Sequence, residues 1–163
     1  KTLEDQKQED YDSSLKSEAW QAVVDNTTVK KYSKKQKADI DEMKTSLINS
    51  YKSYAESMGT DYETYITSSG QYTVETFEQK VEEAAQESEK QTMIAEAIAD
   101  KEKIKVDDKT YKKMLKEYAK TYGFEDGAAM EKSYSKDTLK DAMLTDLVKD
   151  WLVDNCIQKS DDK

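Results

Sequence analysis

The chain contains no histidine, arginine or proline, and it has one cysteine and four glycines in 163 residues. Without histidine it cannot build the common zinc and haem sites, a Ser-His-Asp triad or a Cys-His pair. A single cysteine, Cys156, excludes an internal disulfide, and its place after the apolar run WLVDN predicts a buried or half-buried side chain. No apolar run approaches the ~20 residues that span a membrane. These absences exclude most familiar catalytic and metal-dependent functions, and we expect no cofactor.

The composition is poor in apolar residues and rich in charge. Hydrophobic residues make up 36% of the chain and charged residues 37%, and the net charge is −9. Such an acidic chain disfavours nucleic acid as a partner, and all its basic residues are lysines, which lack the guanidinium fork that recognises phosphate. The apolar residues nevertheless fall at helical spacing, so we predict a folded but open structure with much surface for its core.

The spacing of apolar residues predicts an all-α fold. No stretch shows the sustained alternation of a strand, and Gly59, Gly70 and Gly123 each follow a helix-like segment, as left-handed C-caps do. Gly127 is assigned to a short loop. The longer predicted helices cover roughly 4–25, 34–58, 73–103 and 135–155. A short helix begins with a capping box of Thr60 and Glu63 and ends near Ser69. Another begins at a cap formed by Asp107 or Asp108 and ends at Gly123.

The predicted helix at about 73–103 is the longest, at roughly 45 Å for a rise of ~1.5 Å per residue. A helix of that length links separate packing centres, so we expect an elongated helical body built on this spine, with helical arms that protrude from it. Its predicted inner stripe consists of Val74, Phe77, Val81, Ala84, Ala85, Ser88, Thr92, Ala95, Ile98 and Ala99. The last helix is the most apolar and the best candidate for a core.

Tyrosine and methionine are the residues that suggest a function. The chain has 11 tyrosines and six methionines, and part of this set must fill the core. The remainder suits a surface that binds varied apolar segments, because tyrosine is rigid and amphipathic while methionine adapts its shape. The candidate binding residues lie in two helical hairpins and are Tyr51, Tyr54, Met58, Tyr62, Tyr65, Ile66, Tyr111, Met114, Tyr118, Tyr122 and Met130.

The order of segments resembles the C-terminal domain of trigger factor, a bacterial chaperone family. The stretch ESMGTDYETYITSSGQYTVETFEQKVEEAAQESEKQTMIAEAIADKEKIKV, residues 56–106, shows the family's helix ending in glycine, short tyrosine-containing helix, second break and long helix. That long helix closes on the phrase IADKEKIKV at 98–106. An Ala-x-x-Tyr-Gly ending at 119–123 and the segment LVKDWLVDNC at 147–156 follow in the family's order. The similarity covers nearly the whole chain.

The resemblance implies one substrate-binding domain over 1–163. It comprises a lead-in helix and connector at 1–33, a helical body with two arms around a cradle at 34–158, and a tail at 159–163. In the family this domain shields unfolded or nascent polypeptides without ATP, and it follows a ribosome-binding domain and an FKBP-type prolyl-isomerase domain. Neither preceding domain is present in these residues, so the resemblance implies no enzyme activity for this chain.

Two departures from the family concern the compartment. The family usually has proline where Ser33 stands, and a complete lack of arginine is unusual in it. These departures make a secreted or lipid-anchored relative an alternative to a cytoplasmic, ribosome-associated trigger factor. The compartment therefore stays open between the bacterial cytoplasm and the cell surface.

A structural helical spacer or dimerisation module is the alternative function. In that case the helix at about 73–103 would pair with a second copy of itself as a weak homodimer. Its Ala/Ser/Thr stripe lacks sustained apolar heptads, which argues against a coiled coil. An isomerase activity is a third hypothesis, but its catalytic domain would lie upstream of this chain.

Overall fold

The structure, a computed structural model, describes residues 2–156 and contains seven helices and no strand in that range. The helices are α1 (Leu3–Asp25), α2 (Lys34–Ser57), α3 (Tyr62–Thr67), α4 (Val74–Glu102), α5 (Asp108–Thr121), α6 (Gly127–Ser133) and α7 (Lys136–Asn155). The predicted all-α fold is confirmed. The predicted tail at 159–163, and residues 157–158 of the predicted body, lie outside the described residues.

The chain divides into two compact units, and the boundary falls inside α4. The split unit consists of residues 1–27 and 92–163, and the continuous unit consists of residues 28–91. In the described part of the chain no helix has both the length and the apolar character needed to cross a membrane.

Side-chain caps fix where most helices begin. Ser33 and Gln36 form a capping box at α2, and Asp107 caps α5 by accepting a hydrogen bond from the Thr110 amide at 2.8 Å. The predicted cap at Thr60 is wrong by one residue. Asp61 caps α3 instead, because its carboxylate accepts hydrogen bonds from both the amide and the hydroxyl of Thr64.

Glycine plays two different roles in these helices. Gly59, Gly70 and Gly123 adopt φ values of 73°, 68° and 74°, as predicted for breaks after helical segments. Gly127 is not in a loop, because Asp126 caps α6 and Gly127 is its first residue. A Cβ atom at Gly127 would lie 2.8 Å from Cγ of Leu115, so glycine is needed here for close approach of α6 to α5.

The buried stripe of α4 differs from the predicted one at two positions. Ala84 is exposed, whereas Ile94, which lay outside the predicted stripe, is 6% exposed and belongs to the core. For Ile94 the physical reason is that residues of both α1 and α7 pack on the C-terminal part of α4, so a wider arc of the helix is buried there than one stripe covers.

Two apolar clusters hold the split unit together. The first joins α1, the C-terminal part of α4 and α7, and its buried members are Trp20, Val24, Ile94, Ala95, Ala99 and Val148. The second joins α5, α6 and α7, and its buried members are Tyr111, Leu115, Met130, Leu139 and Met143. Ile98 and Ile104 pack against the first cluster and Val106 against the second, so the segment between α4 and α5 contributes to both.

Cys156 is exposed, which corrects its predicted burial. Helix α7 ends at Asn155, so Cys156 lies just outside the helix, where the buried periodicity of α7 no longer applies. Its predicted burial rested only on the apolar run before it.

Tyrosine hydroxyls tie the helices of the split unit to carboxylates. The Tyr111 hydroxyl donates a hydrogen bond to Glu131 of α6 at 2.8 Å, and the Tyr118 hydroxyl donates to Asp146 of α7 at 2.5 Å. Burial raises the pKa of Tyr111 to about 12, and the hydrogen bond to Glu131 adds to this effect. Burial and the bond to Asp146 likewise raise the pKa of Tyr118 well above its ordinary value.

We predict that Tyr118→Phe lowers the free energy of unfolding by about 1 kcal/mol, because it removes a hydrogen bond to a carboxylate and keeps the ring. Urea denaturation followed by circular dichroism measures the change. Tyr122→Phe is the matched control, since Tyr122 is 65% exposed and its ring contact with Tyr118 would be retained. Equal stability of wild type and Tyr118→Phe would contradict the predicted role of the hydroxyl.

The raised tyrosine pKa values also predict a loss of stability in alkali. Above the ordinary pKa of 10.0, Tyr111 releases its proton in the unfolded chain but retains it in the folded chain up to about 12. Stability from this group is therefore complete below pH 10 and is lost as the pH rises toward 12. Thermal unfolding across this window should show a shallower decline for Tyr111→Phe than for wild type, and an unchanged slope would refute the assignment.

Candidate functional site

Helix α2 carries a row of large apolar side chains that the rest of the chain leaves exposed. Their steps of three and four residues place them on one face of the helix, and their exposed fractions range from 37% to 64%. We call this row the α2 stripe, and it consists of Met43, Leu47, Tyr51 and Tyr54 together with Met58, the residue that caps the end of the helix.

Helix α2 is held within the continuous unit by few contacts. Only Ile40 and Ala55 of the helix are buried. Lys44 of α2 forms an ion pair with Glu82 of α4 at 2.9 Å, and this hydrogen bond raises the pKa of Lys44. Before the helix, the Tyr32 hydroxyl donates a hydrogen bond to the Gln86 carbonyl at 3.3 Å. These contacts fix the position of α2 and leave its apolar face partly exposed, least at Leu47 and most at Met58.

Phe77 of α4 supports the distal part of α2 through aromatic contacts. The rings of Tyr51, Tyr62 and Tyr72 meet the Phe77 ring edge to face, at centroid distances of 4.8, 6.4 and 5.9 Å. This geometry places the positive edge of one ring against the negative face of another, which stabilises such pairs beyond the area they bury. Phe77 therefore orients Tyr51 of the α2 stripe and packs on the start of α3.

Tyr62 has a polar group that the surrounding residues do not satisfy. Its hydroxyl is buried and has no hydrogen-bond partner among the described residues. Burial raises the pKa of Tyr62, and the negative charge of Glu78 raises it further. The side chain is half-buried and contacts Phe77, so it belongs mainly to the packing of the continuous unit.

The predicted binding residues of the continuous unit separate into surface and core. Tyr51, Tyr54 and Met58 are exposed. Tyr65 is half-buried beneath the ring of Tyr54, with centroids 5.5 Å apart, and Tyr62 is half-buried as described above. Ile66 is 6% exposed, so it is a core residue and offers no surface, because α3 packs this side chain inward.

In the split unit the predicted residues form no comparable row. Tyr111 and Met130 are each 4% exposed and belong to the second apolar cluster, which corrects their assignment to a surface. Met114 and Tyr118 are half-buried against the same cluster. Tyr122 is 65% exposed, and its ring meets that of Tyr118 at 5.8 Å. Among the five predicted binding residues of this unit, Tyr122 is therefore the one with an exposed side chain.

Two members of the α2 stripe, Met43 and Leu47, were missed as candidates for binding. Their spacing had placed them on the apolar face of α2, which is normally the buried face of a helix. Their exposure, 38% and 37%, follows from the position of α4 and could not be read from the spacing.

The chemistry of this surface is limited to non-covalent contact. Among residues 2–156 no group of three or more histidine, cysteine, aspartate or glutamate side chains is arranged to hold a metal ion. The α2 stripe offers thioether, aliphatic and phenol groups on an open helix face instead of an enclosed cavity. Such a surface can contact apolar side chains of many shapes.

Comparison with known proteins identifies the family. The family model described as the C-terminus of bacterial trigger factor protein matches residues 1–157. This chain belongs to the trigger factor C-terminal domain family. The resemblance found in the sequence is thereby confirmed, and the family gives the domain a chaperone role. Trigger factor C-terminal domains are not themselves catalytic.

A solved structure supports the trigger factor fold. A structure of domains of trigger factor from Thermotoga maritima superposes with a TM-score of 0.57 at 22% identity, and the match covers 95% of each chain. At this identity the likeness concerns the fold alone. No curated protein matches the chain.

We predict that Phe77 is the main aromatic support of the continuous unit. Phe77→Ala should lower the stability of the chain by about 2 kcal/mol, because it removes a half-buried ring and three edge-to-face contacts. Phe77→Leu, which keeps most of the apolar volume, should cost about half as much. Urea denaturation of both variants measures the difference, and a Phe77→Leu variant as stable as wild type would show that ring geometry contributes nothing.

Proposed function

We propose that this trigger factor C-terminal domain binds unfolded polypeptides through the α2 stripe. The observation that carries the proposal is the exposure of five large apolar side chains on one face of a fixed helix. Only 36% of the residues are hydrophobic, so leaving this row partly exposed reduces the stability that apolar burial could provide. A binding role accounts for this loss of burial, and the chaperone role of the family supports the proposal.

Binding on this surface would be weak and fast. A polypeptide segment that lies along α2 would contact the flexible thioethers of Met43 and Met58 and the phenol faces of Tyr51 and Tyr54. Each contact is small and none is enclosed, so affinity is spread over the row and clients of different sequence are tolerated. The high charge of the remaining surface would keep the complex soluble. No nucleotide is needed, because release follows from the weakness of each contact.

The test replaces exposed apolar side chains on the stripe with glutamine, a good helix former. In the variant Met43→Gln, Leu47→Gln, Met58→Gln, suppression of client aggregation should fall at least about fivefold, on the basis of ~1 kcal/mol per lost apolar contact and partial compensation. Tyr51 and Tyr54 are left unchanged because their rings also pack on Phe77 and Tyr65. Light scattering of an aggregating unfolded protein provides the measurement.

The matched control carries the same replacement on the opposite face of the same helix. Thr45→Gln, Asn49→Gln, Ser53→Gln should leave both stability and aggregation suppression unchanged, since these side chains are polar and the stripe is intact. Loss of activity in both variants would point to a general effect on α2. Full activity in the stripe variant, with its fold intact by circular dichroism, would overturn the proposal.

A further inference from the structure

Helix α5 carries a concentration of positive charge that the proposed chaperone role does not use. Its lysines recur at steps of three and four residues on the face opposite the buried tyrosine and leucine side chains, and all are exposed. We call this row the α5 lysine row, and it consists of Lys109, Lys112, Lys113, Lys116 and Lys120.

The row stands out because 35 acidic residues outnumber 26 lysines in the chain, in which a second run of lysines lies at 30–37. A solvated helix face here would be expected to mix both signs, as where Lys35 pairs with Asp39 four residues later at 2.7 Å. On α5 only Glu117 interrupts the row, and its carboxylate lies 3.9 Å from the Lys113 ammonium. Like charges three and four residues apart destabilise a helix. Asp107 offsets part of this cost by attracting Lys109, and no ion pair to a described residue is found for Lys112, Lys116 or Lys120.

The buried face of α5 fixes the orientation of the lysine row. Tyr111, Leu115 and Ala119 are buried in or beside the second apolar cluster, so the apolar face of α5 is occupied by the domain's own core. The Tyr111 and Tyr118 hydroxyls are hydrogen-bonded to Glu131 and Asp146. The helix therefore presents its lysine face rigidly and has no free apolar face to insert elsewhere.

From this geometry we infer that the α5 lysine row docks the domain on an anionic phospholipid surface. A straight row of exposed lysines matches a flat layer of negative headgroups, where each lysine acts as a point charge and needs no fixed partner. The overall charge of −9 does not prevent this, because charges beyond about 10 Å are screened at physiological salt. Only the surface facing the lipid contributes strongly.

Charge alone would also suit nucleic acid, but other features of α5 disfavour it. The chain has no arginine for bidentate phosphate contacts. The two hydrogen-bonded tyrosines of α5 pack beneath the helix, so no aromatic side chain stands between the lysines to stack on a base.

Vesicle sedimentation of the whole chain tests the inference. Vesicles of phosphatidylcholine with phosphatidylglycerol should bind the chain, vesicles of phosphatidylcholine alone should not, and added salt should release it. A lysine near an anionic surface contributes about fivefold to binding, so neutralising four should weaken partitioning by roughly a hundredfold or more. The variant for this measurement is Lys109→Gln, Lys112→Gln, Lys116→Gln, Lys120→Gln.

Two further variants separate position from charge. The matched control Lys7→Gln, Lys37→Gln, Lys80→Gln, Lys101→Gln removes the same number of charges from exposed lysines that are scattered outside α5, and it should bind anionic vesicles like wild type. Replacing the four row lysines with arginine should also retain binding, since the charge is kept. Circular dichroism should show the same helicity in all three variants.

Three outcomes would overturn the inference. They are failure of the wild-type chain to bind anionic vesicles, equal loss in the row variant and the matched control, and tighter binding of the chain to RNA duplexes than to vesicles. Light scattering tests the remaining alternative, in which the row binds an acidic face of a second copy of the chain. A dimer that dissociates in the row variant, without vesicle binding by wild type, would assign the row to self-association instead.

Discussion

The packing of α1 and α7 on the C-terminal part of α4 is the interaction on which the split unit depends. These helices come from opposite ends of the chain, and Trp20, Val24 and Val148 meet Ile94, Ala95 and Ala99 in one cluster. Alanine on α4 lets the partner helices approach closely, while the larger residues fill the remaining space. An ion pair between Lys16 and Asp150 lies beside this contact. Without the cluster, α1 would have no buried partner and the split unit would not close.

A limited supply of apolar residues explains why tyrosine is so prominent in both units. Tyr111 fills the second cluster and ties α5 to α6 through its hydroxyl, and Tyr118 ties α5 to α7 in the same way. In the continuous unit the rings around Phe77 perform the packing instead. A tyrosine buries as much surface as a large apolar residue and can hydrogen-bond at its tip, so it suits small cores that lie close to solvent. Most of the tyrosine excess therefore serves stability, and a smaller part remains for binding.

The two proposed surfaces lie in different units. The α2 stripe, in the continuous unit, contains five of the large apolar side chains that are exposed among the described residues, and the α5 lysine row lies in the split unit. Each row lies on a helix whose position other residues fix, through the contact of Phe77 with Tyr51 of the stripe for α2 and through the second cluster for α5. The family membership supports a chaperone role, and the α2 stripe is the surface that we propose for it. The α5 lysine row carries the separate proposal of docking on an anionic lipid surface.

Local sequence determined the helices, because caps, glycine breaks and apolar spacing act within a few residues. The caps at Asp107 and Ser135 and the left-handed glycines at 59, 70 and 123 all follow from such signals. Family membership could also be predicted from the sequence, through the order of segments. Burial could not be predicted in this way, because it depends on which helices pack together. The apolar spacing of α2 and α5 is similar, yet α5 buries Tyr111 and Leu115 while α2 leaves Met43 and Leu47 exposed. Residue 127 must be glycine because α6 approaches Leu115 closely, and Cys156 is exposed because α7 ends before it. Only the tertiary structure decided which apolar faces became core and which remained surface, since that choice rests on contacts between distant parts of the chain.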